Sequence, residues 1–83
     1  MQKTNLVLSL IDIILPPKQW KKLYRDQGQI EEMRCSIERG ELMVPIVVYQ
    51  RPDNKYGVED GRHRYIAHVL ADTGTINAVM YEG

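Results

Sequence analysis

The sequence predicts a small α+β domain, a mixed sheet with helices packed on it, in the order strand, helix, strand, strand, helix, strand. Three observations predict it. Branched apolar runs bounded by proline or turn residues stand at 6–14, 44–49 and 76–81. Two other stretches space their apolar residues three and four apart and run into a glycine. Between two of the strands lies Arg51-Pro52-Asp53-Asn54-Lys55, turn chemistry compact enough for a hairpin.

The first strand is expected at 6–14, because Leu6, Val7, Leu8, Leu10, Ile11, Ile13 and Ile14 run nearly unbroken to Pro16-Pro17, which cannot donate to a ladder. From Lys18 to Arg25, Trp20, Leu23 and Tyr24 share a face and Lys18, Lys21, Lys22 and Arg25 lie between them. That is a short basic amphipathic helix or a loop with one turn. Ile30, Met33 and Ile37 predict a helix over 29–39, stopped by Gly40. Val44 to Tyr49 is the second strand, with Pro45 near its start where a strand tolerates it. Tyr56 to Glu59 is the returning arm of the hairpin, ending at Asp60. From Arg62 the spacing turns helical (Ile66, Ala67, Val69, Leu70, Ala71) up to Thr73-Gly74, and Ile76 to Tyr81 closes the fold as a strand.

At 83 residues this is one domain, residues 1–83, with no repeat, low-complexity tract or linker. A chain of this size buries only about 60–65% of the surface it exposes when unfolded, so its core is thin. The single cysteine, Cys35, rules out an internal disulfide, and no His/Cys spacing suits a structural zinc site. Eleven basic and eleven acidic side chains cancel, so any attraction to nucleic acid has to come from a local patch. No apolar run approaches the roughly 20 residues of a membrane span, and no signal core opens the chain, so no membrane partner and a cytoplasmic location are expected.

The chemistry concentrates at Asp60-Gly61-Arg62-His63-Arg64-Tyr65, a strand-to-helix turn. Asp60 is placed to cap the helix through its carboxylate, and Gly61 lets the backbone turn with no Cβ in the way. The first amides of a helix lack internal partners and carry about half a positive charge, which favours an anion there. Arg62, His63 and Arg64 add donors about 100° apart, so at most two converge on one ligand, and His63 at the mouth of the apolar stripe is the inward one. The plainer reading is a capped helix with solvated first-turn charges. Against it, bases facing the positive helix end cost a few tenths of a kcal/mol each unless an anion offsets them.

Residues 29–71 resemble the ParB and sulfiredoxin superfamily. The resemblance rests on Ile30-Glu31-Glu32-Met33, Ser36-Ile37, Gly40, Pro45-Ile46-Val47-Val48 and the run from Asp60 to Ala67, in that order and at that spacing; with the first strand it covers nearly the whole chain. It implies that Gly61, Arg62, His63 and Arg64 bind the phosphates of a nucleotide, CTP or ATP, with Mg2+. It also implies a minimal stand-alone module of the type called a ParB-like nuclease domain, from a phage, plasmid or other mobile element, working with DNA or a DNA-associated protein. In sulfiredoxins the corresponding turn carries the catalytic cysteine; here Arg62 stands in its place, which argues against sulfinic-acid reduction. Related free-serine kinases have a histidine where Arg62 stands and a substrate lobe that this chain lacks.

Three functions follow as expectations: a nucleotide-binding module; a nuclease or phosphotransferase in which His63 is the catalytic group that titrates near neutral pH; and a small inhibitor or adaptor acting through protein contacts. Lys18, Lys21, Lys22 and Arg25, interleaved with Trp20 and Tyr24, are candidate nucleic-acid contacts, although the aromatics also read as satellite core under a solvated basic face. Among the carboxylates Glu31, Glu32, Glu41, Glu59 and Asp60, no spacing demands a metal, and only Asp60 as cap and Glu59 at a pocket edge are expected at the site. His63 and His68 lie five apart and do not form a metal pair. Cys35 is expected to be a buried small hydrophobe.

Overall fold

The computed structural model describes residues 2–23, 27–41 and 44–82. Its elements are β1 (Gln2–Ser9), a 3-10 turn (Leu10–Asp12), β2 (Ile13–Ile14), α1 (Pro17–Leu23), α2 (Gln27–Glu38), β3 (Ile46–Gln50), β4 (Tyr56–Asp60), α3 (Arg62–Leu70) and β5 (Thr75–Glu82). The strands form one mixed five-stranded sheet in the order β1-β5-β3-β4-β2. β1 runs antiparallel to β5, β5 parallel to β3, β3 antiparallel to β4, and β4 parallel to β2. The expected α+β order is therefore present, with one correction.

The apolar run expected as one strand over 6–14 divides into β1 and β2. β1 belongs beside β5 and β2 beside β4, at the other edge of the sheet, so the chain has to leave one ladder before it joins the other. The 3-10 turn makes that move, and its first amide, Leu10 N, donates to Gly74 O at 3.0 Å. Ile11 is left 81% exposed in the process, which a continuous buried strand would not allow.

The helices form where their termini are satisfied. Pro17 opens α1 at the position where a missing N–H is harmless, and Trp20 N donates to Pro16 O at 3.2 Å. α2 ends at Gly40 with φ of 78°, where Gly40 N and Glu41 N donate back to Ile37 O and Ser36 O, each at 3.0 Å. α3 ends in the same way on Asp72, with φ of 55°.

All described helices pack on one face of the sheet. Ile66 and Ala67 of α3, Ile30 of α2, Ile46 and Val48 of β3, and Ile76 and Ala78 of β5 are buried there together, with Trp20, Leu23, Met33 and Ile37 against them. The Trp20 and Tyr65 rings meet edge to face, centroids 6.0 Å apart at 63°, and the Tyr65 hydroxyl reaches Ile13 O at 3.4 Å. Trp20 is thus a satellite of the core. Leu70, expected within the apolar stripe, ends α3 at the surface, 44% exposed. Cys35 is also exposed rather than buried, because on α2 it lies opposite the Ile30, Met33 and Ile37 stripe. No described helix is long and apolar enough to cross a membrane.

Candidate functional site

The hairpin between β3 and β4 fixes where α3 begins. Tyr49 pairs with Gly57 and Val48 with Val58, and an irregularity between Val47 and Val48 brings Val47 opposite Asp60. The chain then turns through Gly61, whose φ of 96° is left-handed, and Tyr65 N makes the first helical bond to Gly61 O at 3.0 Å. Gly61 is therefore the cap residue, and it brings no side-chain cap bond. The expectation that Asp60 caps this helix is corrected: Asp60 is the last residue of β4, and its largely exposed carboxylate approaches the Arg64 Nη2 at 3.9 Å.

A side chain at residue 61 has no room. A Cβ there would lie 2.7 Å from the Arg64 Nη2, 3.0 Å from its Nε and 2.7 Å from Ile46 Cγ2. The Arg64 guanidinium lies across the bare face of Gly61, its side chain only 19% exposed. Its Nε is buried and has no hydrogen-bond partner among the described residues. A desolvated guanidinium N–H without an acceptor is costly to the folded state.

This turn forms one wall of a crevice of about 360 Å³, lined by Asp60, Gly61, Arg62, His63 and Arg64, with Leu23 of α1 and Met33 of α2 opposite. Arg62, His63 and Arg64 are each partly buried there. Arg62 is drawn sideways, its Nε donating to Gln19 Oε1 of α1 at 3.0 Å. Beyond that bond a second crevice, of about 270 Å³, is lined by Gln19, Lys22, Leu23 and Arg62. The two hollows share Leu23 and Arg62, so a basic path runs from the α3 terminus onto α1.

The other expected site residues fall as follows. Lys18, Lys21 and Lys22 are exposed on α1, and Lys22 alone lines a hollow of this site. Arg25 lies outside the described residues. Glu59 is exposed but does not line the crevice, because it alternates with the buried Val58 and faces the other side of the sheet. His68, one turn beyond His63, bonds Thr73 Oγ1 through Nδ1 at 3.1 Å, and burial holds its imidazole below the usual range. No group of three or more His, Cys, Asp or Glu able to hold a metal occurs among the described residues. Sequence reasoning passed over Gln19, Leu23 and Met33 as site residues; Leu23 and Met33 were legible only as apolar face positions, and nothing marked Gln19.

Chemically, the crevice offers a helix amide end, two guanidiniums and an imidazole against, among the described residues, a single exposed carboxylate, a donor set that suits a phosphate. A family model, that of the ParB N-terminal domain, matches residues 2–82. Among solved structures, sulfiredoxin from Arabidopsis thaliana matches with a TM-score of 0.71 at 31% identity, over 96% of this chain and 86% of that one. The C-terminally truncated chromosome-partitioning protein ParB from Caulobacter crescentus, complexed with CTP-gamma-S, matches with a TM-score of 0.76 at 22% identity, over 96% of this chain. The match spans 45% of that ParB chain, less than half its length. No curated protein matches.

Proposed function

Because the chain belongs to the ParB N-terminal domain family, within the ParB and sulfiredoxin superfamily, we propose that it binds a nucleotide through its phosphates in the crevice at the start of α3. The observation that carries this reading is Arg64: a largely buried guanidinium laid across Gly61, with an Nε that has no acceptor among the described residues. A phosphate oxygen supplies the missing acceptor, and the amide end of α3 adds favourable charge. Arg62 and His63 line the same crevice and are the further donors.

The ParB structure complexed with CTP-gamma-S supports a nucleoside triphosphate as the ligand. A magnesium ion arriving with it would take most of its ligands from phosphate and water, and Asp60, exposed on the crevice wall, is the carboxylate placed to join them. The exposed Lys18, Lys21 and Lys22 continue the basic path and support work alongside DNA or a DNA-bound partner, as on a mobile element. His63 in the same crevice is the group that a nuclease or phosphotransferase activity would use, and metal-dependent cleavage abolished by His63→Ala is the result that would establish one.

The test is a thermal-shift and calorimetric titration of the wild type and Arg64→Ala with CTP, ATP, GTP and inorganic phosphate, with and without magnesium. A nucleotide-dependent rise in Tm that the variant loses supports the site. No response to any of the four ligands removes nucleotide binding as its function.

A further inference from the structure

The sheet has a second face, and no described helix covers it. Alternation along the strands places Lys3, Asn5 and Val7 of β1, Asn77, Val79 and Tyr81 of β5, Val47 and Tyr49 of β3, Gly57 and Glu59 of β4, and Ile14 of β2 on this face, since their neighbours in each strand enter the core. Val7 is 71% exposed, Tyr49 49% and Tyr81 48%. Such a share of open apolar surface on one side of so small a domain marks a contact surface.

Two features identify the occupant. Among the described residues, the charged side chains that the strands present on this face are Lys3, at the β1 side, and Glu59, on β4 at the other side, with Tyr81, Tyr49 and the half-buried Val47 between them. Neither Lys3 nor Glu59 has an ion-pair partner among the described residues. The face is thus positive at one margin, apolar in the middle and negative at the other. A twofold rotation about an axis along the strands, between β5 and β3, lays β1 over β4 and β5 over β3 of another copy. Lys3 is level with Tyr81, and Tyr49 is level with Gly57, by the pairing registers, so Glu59 of the second copy sits one pleat further along, about 7 Å. A lysine side chain spans that offset, and the rotation makes the pair twice.

We propose that this chain forms a symmetric dimer through the helix-free face of its sheet, with Lys3 of each copy paired to Glu59 of the other across a centre of Tyr81, Tyr49 and the half-buried Val47. Two twisted sheets pack in this way at about 10 Å and about −30°, and a twofold contact of one patch with itself is the commonest form of self-association. The patch is at the low end of interface sizes, so the dimer is concentration-dependent. The α3 crevice lies on the opposite side of the sheet and stays open in it, so this inference stands apart from the nucleotide reading.

Sedimentation equilibrium of the full chain between about 10 µM and about 1 mM covers the range in which such an interface dissociates. A monomer–dimer equilibrium is expected. Lys3→Glu and Glu59→Lys should each weaken it about 5-fold or more, and the two together should restore it to within about 3-fold, because the reversed pair is again complementary. Circular dichroism melts confirm that each variant is folded, and Tyr81→Glu, in the centre, should leave only monomer. A wild type that remains monomeric throughout overturns the proposal and leaves this face to a different protein. A dimer indifferent to both single reversals, or not restored by the double one, overturns it as well by placing the contact elsewhere.

Discussion

Gly61 and Arg64 lie closer than any side chain at residue 61 would permit: a Cβ there would come within 2.7 Å of the Arg64 Nη2. The left-handed turn and the seat of the guanidinium are therefore one feature, and the amide end of α3 faces the crevice because of it.

Gly61→Ala should lower stability by about 1–3 kcal/mol, since it combines a φ of 96° with overlap on Arg64 and Ile46. Gly28→Ala is the control. It sits in α2 with nothing within 4 Å of its Cβ, and should be neutral or stabilising by up to about 1 kcal/mol. Urea unfolding of both variants measures the contrast; equal effects would mean that residue 61 is not under constraint.

Arg64→Lys separates charge from shape. A lysine keeps the positive charge but loses the planar fork and the Nε–H. If the fork holds phosphate, nucleotide affinity should fall about 10-fold or more in Arg64→Lys and further in Arg64→Ala, read by calorimetry. Retained affinity in the lysine variant would show that charge alone suffices.

Asp60→Asn probes the acid that lines the crevice among the described residues. At 3.9 Å from Arg64 and 78% exposed, Asp60 contributes little stability, so Tm should change only slightly. Without magnesium the variant should bind inorganic phosphate several-fold more tightly, because like-charge repulsion is gone. With magnesium the gain with triphosphate should shrink or reverse as a metal-facing carboxylate is lost.

His68 gives the fold a pH dependence. Burial lowers its pKa from the ordinary 6.5, so the folded state favours the neutral ring. That contribution is full above about pH 6.5 and is lost as pH falls through the lower folded value. Glu31, Glu41 and Asp53, held low mainly by Arg34, Arg39 and Arg51 respectively, weaken only in stronger acid. Tm should therefore fall between pH 7.5 and pH 5, and less steeply in His68→Gln; parallel curves would assign the effect to another group.

The elements set by local chemistry were legible in the sequence: the hairpin around Arg51–Lys55, the stop at Gly40 and the switch from strand to helix at Gly61. The division of the first apolar run was not. Asp12 is the one residue between Leu10 and Ile14 that disfavours a strand, too small a signal to place the break, and the reason for the break lies in β4 and β5, some 40 to 70 residues further along. Asp60 misled for a related reason: an acid before a glycine reads as a cap, but once Gly61 adopts a positive φ the glycine takes that position and Asp60 stays in the ladder. The residues of the turn were found by their own pattern, whereas Leu23, Met33 and Gln19 reached the site only through packing between distant elements.

The pairing of β1 with β5 has a consequence for how the chain acquires its shape during synthesis. Among the described residues, β5 is the sheet neighbour of β1, and Gln2 lies opposite Glu82. Of the strands of this sheet, β1 is made first and has no place to add until β5 follows; β5, which also borders β3, joins it to the rest of the sheet. Closing so long a loop comes late and slowly, with folding expected on the millisecond-to-second scale. Until then Val7 and Leu8 are exposed as part of an unpaired apolar strand, so a nascent chain stalled before residue 75 would be a substrate for chaperones.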